Sequence, residues 1–236
     1  MSHITQRNLS WVSSGTPMTG VLVADEHCTM IRPGVVLAPN MMGVTESNIS
    51  QARKIAEKGY VVLVADLYGY IPTTAEQAAA AMNALKDSPL ERDRMYASLT
   101  ALATQPEVDH QRLAVVGFCY GGHCALELAR SGAYVKAAIC IHGTLSTQHP
   151  AEPGKIKGKI LVLNGAQDPF VTPDQVGIFC HEMSEASVGW QFINYANTVH
   201  SFTYPKANVP GKMEYNEPVS NQAFATVFLL LEDVFN

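Results

Sequence analysis

A single stretch, Arg112 to Ser131, restricts the architecture of this chain more than any other. It reads RLAVVGFCYGGHCALELARS and sets one cysteine, Cys119, between an apolar run and a helical pattern. Arg112 to Phe118 carries β-branched and apolar residues without alternation, as a strand covered on both faces does. Cys124 and Leu128, with Ala125 and Ala129, recur instead at the spacing of a helix. The turn between them is Gly117-Phe118-Cys119-Tyr120-Gly121. A sharp strand-to-helix turn strains its central residue and brings neighbouring chain close, so the flanking positions must be small; Gly117, Gly121 and Gly122 meet that need. Cys119 then stands at a nucleophile elbow. Its thiol lies at a helix N-terminus, which favours the thiolate, and the Tyr120 backbone N–H points toward a bound carbonyl oxygen. A glycine-rich connection with a buried cysteine would use the same letters, so the reading turns on whether the downstream chain supplies an acid and then a base.

The rest of the chain alternates strand and helix. Two short strands, about Leu9 to Ser13 and Met18 to Ala24, joined at Gly15-Thr16-Pro17, predict an antiparallel start. Buried-strand runs follow at Val35 to Pro39 and Tyr60 to Asp66, separated by a helix from Thr45 to Lys58 that stops at Gly59. Thr73 to Thr104 reads as two helices broken at Asp87-Ser88-Pro89. Beyond the elbow come strands at Val135 to Ile141, Lys159 to Leu163 and Trp190 to Tyr195, and helices at Pro173 to Ala186 and Val219 to Phe235. This is an α/β pattern: a mostly parallel central sheet with helices on both faces. No linker or internal repeat interrupts it, so 1–236 is read as a single domain.

The acid and the base fall in the expected places. Asp168 follows the strand Lys159 to Leu163, and His200 follows the strand Trp190 to Tyr195. Catalytic groups collect at this end of the strands in open α/β sheets. Alone, Asp168 would read as a turn former and His200 as a surface histidine. Together with Cys119 they stand in the order nucleophile, acid, histidine, which is that of α/β-hydrolases.

With these residues in hand, the chain resembles the dienelactone hydrolase family of α/β-hydrolases over nearly its whole length. The motifs that carry the likeness are Ala65-Asp66-Leu67-Tyr68-Gly69, the elbow Gly117-Phe118-Cys119-Tyr120-Gly121-Gly122, the acid loop Gly165-Ala166-Gln167-Asp168-Pro169-Phe170-Val171 and His200-Ser201-Phe202. The resemblance implies the α/β-hydrolase fold, a Cys119-His200-Asp168 triad and an oxyanion hole made by the backbone N–H groups of Met41 and Tyr120. It also implies hydrolysis of a small ester or lactone through a thioester acyl-enzyme. Two departures accompany it. Asn40 stands where the family's best-known members have a thiol-activating glutamate. Tyr204 stands at one carboxylate-binding arginine position, and the other falls between Ile71 and Lys86, where no arginine occurs. These departures point away from the acidic dienelactone itself. Arg92 and Arg94, further along, read as solvated helix charges.

Pocket candidates are Asn40, Met42, Tyr68, Phe118, His142, Phe170, Phe202 and Tyr204, all near strand ends, while Lys206 and Lys212 could meet an anionic substrate. No cofactor is expected. Cys119, His123 and Cys124 cluster in sequence, but their spacing is not that of a zinc knuckle and no fourth ligand is evident, so no metal is expected either. A formal charge of −5 offers no footprint for nucleic acid or an anionic membrane. No signal peptide or membrane span is visible, and five cysteines without a framework spacing fit reduced thiols, so a cytoplasmic monomer or homodimer is expected. The alternatives are an intracellular carboxylesterase or thioesterase acting on a neutral substrate, and a non-catalytic binding or thiol-sensing member of the fold.

Overall fold

A computed structural model describes residues 3–236. The chain opens with a hairpin of two ten-residue strands, β1 (Ile4–Ser13) and β2 (Thr16–Asp25). Their turn is Ser14-Gly15, both with positive φ (46° and 81°), rather than Gly15-Thr16-Pro17. Two consecutive residues in the left-handed region match the twist of the flanking strands, whereas Thr16 and Pro17 already pair across the ladder. The strands run longer than expected because Thr5, Gln6, Arg7 and Asn8 are polar and lie on the sheet's edge, where apolar alternation is not required.

The alternation then proceeds as read. β3 (Arg32–Ala38), α1 (Glu46–Ala56) and β4 (Val61–Val64) come first. Next are α2 (Ala75–Leu85) and α3 (Pro89–Ala103), with the break at Asp87 and Ser88. β5 (Val108–Phe118), α4 (Tyr120–Arg130), β6 (Ala137–Ile141), β7 (Lys159–Gly165), α5 (Pro173–Glu185) and β8 (Trp190–Tyr195) complete the strand–helix series. A two-residue ladder, β9 (Asn208–Val209) with β10 (Met213–Glu214), precedes the last helix, α6 (Glu217–Phe235). That helix starts two residues before the expected Val219, because Asn216 caps the Val219 N–H and Pro218 suits the first turn.

Eight strands form one sheet in the order β1-β2-β4-β3-β5-β6-β7-β8. β2 is antiparallel to β1 and to β4, and every pairing from β4 to β8 is parallel. The fold is that of an α/β-hydrolase. Val35 and Leu37 face α1 and α6, against Ile49, Ile55, Val227 and Leu231. Val36 and Val115 face the other layer, against Met95, Leu102, Leu128 and Phe179 of α3, α4 and α5. Residues on both faces are apolar, which explains the absence of alternation in these strands. Because β3 to β8 run parallel, they all deliver their following loops to one end of the sheet. Among the described residues, no helix is long and apolar enough to cross a membrane.

Candidate active site

The elbow is held by backbone contact. A Cβ on Gly117 would lie 1.9 Å from the Gly121 carbonyl oxygen, and one on Gly121 would lie 2.0 Å from the Ala38 oxygen, so neither position admits a side chain. Cys119 itself takes φ 55°, ψ −120° at the N-terminus of α4, and its side chain is half-buried. Cys124 and Cys140 are buried and their thiols pushed up by burial, Cys140 to about 12, so both stay protonated at neutral pH.

The acid and histidine loops close on each other across β7 and β8. Asp168 and His200 are both buried, and His200 Nδ1–H donates to Asp168 Oδ2 at 2.8 Å. The second carboxylate oxygen accepts the Phe170 N–H at 2.9 Å, which fixes the loop. Burial alone would pull the His200 ring down, but Asp168 and the Cys119 sulfur outweigh it and raise the imidazole to about 10. Cys119, Asp168 and His200 are thus brought together. The backbone N–H groups of Met41 and Tyr120 have no acceptor among the described residues, so both are free to donate to a ligand.

Other expected positions divide. Asn40 turns its carboxamide oxygen into its own loop, where it accepts the Met42 N–H at 3.0 Å and Asn48 Nδ2 at 3.3 Å. It shapes the turn that carries Met41. Tyr68 is buried with its hydroxyl unpartnered, and burial pushes its phenol up. Beside it lies a hollow of about 240 Å³ bounded by Tyr70, Leu85, Leu90 and Arg94. Phe170 is 39% exposed and meets the His200 ring in a T-shaped contact at 4.9 Å, with Lys212 Nζ over the Phe170 ring, 5.3 Å from its centroid. Met42 and Tyr204 are half-buried.

Phe118 and Phe202 do not line a cleft. Both are fully buried in the layer under α1 and α6, with the Phe118 ring near Phe224. The residue before the elbow's centre points to the opposite face from Cys119, as strand alternation requires. His142, also buried, lies behind the site: its Nδ1 accepts the Cys119 N–H at 3.2 Å and its Nε2–H donates to Thr203 Oγ1 at 2.8 Å. Tyr120 contributes only backbone, since its hydroxyl donates to buried Glu91 at 2.7 Å.

Arg92 and Arg94 are not solvated charges. Arg92 binds Glu127 through Nε and a terminal nitrogen at 3.0 and 2.8 Å, and Arg94 donates to the Leu67 carbonyl at 2.6 Å. Glu127 in turn meets buried Arg130, which also holds Glu182. Nothing in the local pattern marks this network, because its members come from α3, α4 and α5.

A family model now decides the wider question: the dienelactone hydrolase family matches residues 18–235. The chain belongs to the dienelactone hydrolase family. It is a hydrolase of ester and lactone bonds. A solved structure described as m3DLH superposes with a TM-score of 0.92 at 36% identity, covering 99% of each chain. A dienelactone hydrolase-like promiscuous phosphotriesterase from metagenomic libraries superposes with 0.90 at 31% identity, again over 99% of each chain. A Bradyrhizobium sp. protein named Probable 2-oxo-3-(5-oxofuran-2-ylidene)propanoate lactonase is 25% identical over 82% of this chain and 84% of its own.

Proposed function

We propose that this dienelactone hydrolase cleaves a small ester or lactone with Cys119 as nucleophile, His200 as general base and Asp168 as the residue that orients the histidine. The observation that carries the reading is the 2.8 Å bond from His200 Nδ1 to Asp168, formed beside an elbow cysteine. With Nδ1 engaged, Nε2 is left to take the thiol proton. The Cys119 thiolate attacks the carbonyl carbon, and the Met41 and Tyr120 N–H groups receive the oxyanion, each contributing about 3 kcal/mol. The intermediate collapses by breaking the carbon–oxygen bond; His200 returns its proton to the leaving alkoxide, and a thioester on Cys119 remains. Water, deprotonated by His200, attacks the thioester and releases the acid and the thiol.

Asn40 can take no proton, so activation of Cys119 falls to His200 and the N-terminus of α4. Tyr68, with an unpartnered hydroxyl, supplies a donor for the substrate, and Lys212 beside Phe170 supplies a cation for an anionic one. The 31% identical phosphotriesterase makes a phosphotriester a second substrate to assay.

The test is the turnover of p-nitrophenyl acetate by the native chain and by Cys119→Ala, with mass detection of trapped acyl adduct. The expected result is an acetyl group on Cys119 and a loss of at least about 1000-fold in kcat in the variant. Equal turnover by the two proteins, with no adduct, would overturn the triad.

A further inference from the structure

His123 is a third histidine near the elbow, after His200 and His142, and the mechanism makes no use of it. It is fully buried on α4, and neither ring nitrogen makes a hydrogen bond of acceptable geometry. Its Nε2 faces two carboxylates from a different part of the chain: Glu91 Oε2 at 3.3 Å and Asp87 Oδ1 at 3.7 Å. Glu91 is in the first turn of α3, and Asp87 in the break before it, held at φ 60°. Asp87 Oδ1 is likewise buried without a hydrogen-bond partner. All three donor atoms lie within 4.8 Å of one another. Buried polar atoms that converge with no partner cost stability unless something sits between them.

We infer that Asp87, Glu91 and His123 form a site for a divalent transition-metal ion of the zinc type. Bonds of about 2.0–2.2 Å in a tetrahedral shell place neighbouring donors about 3.3–3.6 Å apart, close to the two distances from His123 Nε2. One imidazole and two carboxylates suit zinc better than magnesium, which favours oxygen donors and retained waters. The Asp87 side chain is 28% exposed, which leaves a route for the ion and a position for water. Outer contacts orient Glu91: its Oε1 accepts from the Tyr120 hydroxyl at 2.7 Å and its Oε2 from the Asp87 N–H at 2.9 Å. The ion would therefore tie the start of α3 to α4 and steady Tyr120, whose backbone N–H faces the catalytic edge. Its role is structural. The expectation of no metal rested on Cys119, His123 and Cys124, but the partners of His123 lie more than a helix upstream and carry no motif.

The experiment strips the purified full chain with a chelator and then adds Zn²⁺ or Co²⁺ to the native protein, Asp87→Asn, His123→Gln, Cys119→Ser and His27→Ala. The last two control for binding at the catalytic thiol and at the exposed His3, Glu26 and His27 group. Asparagine tolerates the positive φ at position 87, so Asp87→Asn keeps the test valid if His123→Gln does not fold. The expected result is one Zn²⁺ retained per native chain and a Tm rise of about 5 °C or more at saturating metal. Co²⁺ should give visible d–d bands without a thiolate charge-transfer band. These signals should vanish in Asp87→Asn and persist in Cys119→Ser and His27→Ala. Absence of binding to the native chain, or binding that survives in Asp87→Asn, would overturn the site and leave His123 and Glu91 as a close contact between α4 and α3.

Discussion

Cys119 takes its backbone conformation from groups that lie behind it. Its N–H is shared between the Ile141 carbonyl at 3.0 Å and His142 Nδ1 at 3.2 Å. Because a backbone N–H can only donate, His142 must carry its proton on Nε2 and be neutral. Burial, with His200 nearby, holds it well below the ordinary histidine value. The unfolded chain takes up a proton below about pH 6.5 that folded His142 refuses, so unfolding binds protons and stability falls as pH drops. Thermal melts from pH 7.5 to 5 should show a steeper fall for the native chain than for His142→Phe, by at most about 1.4 kcal/mol per pH unit. Parallel curves would show that His142 protonates in place. His200 shifts the other way, raised to about 10 by Asp168 and the Cys119 sulfur, and the imidazole must hold the proton it returns to the leaving alkoxide, so the alkaline limb of kcat/KM, where that proton is lost, should lie well above pH 6.5; a pH–rate profile checks it. The letters of Cys119, Asp168 and His200 were readable because each follows a strand at a fixed place. His142 was not, since its partners are a backbone N–H and Thr203, 61 residues away.

At the scale of elements, the elbow joins β5 to α4 by packing backbone on backbone. Gly121 sits where α4 crosses the end of β3, and a methyl there meets the Ala38 carbonyl at 2.0 Å with nothing flexible to yield. Gly121→Ala should lower Tm by roughly 10 °C or more, or prevent folding, as circular dichroism melts would show. A small shift would mean that α4 can slide on the sheet. The loop after β3 depends on Asn40 in the same way. Asn40→Ala removes the acceptor for the Met42 N–H and loosens the turn that presents Met41, so kcat should fall about 10-fold or more with KM little changed. An unchanged kcat in steady-state assays would detach Asn40 from the proposed oxyanion donor, the Met41 N–H. The elements from β3 to β7 were legible because the buried stretches of these parallel strands are apolar and their helices have clear stops, whereas the polar start of β5, Asp109 to Gln111, was not. The polar half of β1 and the β9–β10 ladder were not, since pairing at an exposed edge or across two residues leaves no periodic trace.

Across the whole molecule, one buried charge network fastens α3, α4 and α5 into a single layer on one face of the sheet. Arg130 bonds Glu127 at 2.9 Å, Glu182 at 2.7 and 2.8 Å and the Leu145 carbonyl at 3.0 Å. Removing only the cation strands carboxylates in the core, so Arg130→Met should destabilise the protein by about 3 kcal/mol or more in denaturant titrations. Adding Glu182→Gln should recover part of that loss; no recovery would place the cost in packing. What the sequence by itself determined is the chain of buried strands, the glycine-flanked turn and the order cysteine, aspartate, histidine, because these depend on local sterics and on a two- or 3.6-residue period. Only the tertiary structure decided which strand ends share an edge, that Phe118 and Phe202 lie in the core, and that His123 meets Asp87 and Glu91. Such meetings depend on how helices cross over the sheet, and a contact between residues far apart in the chain leaves no signature at either end.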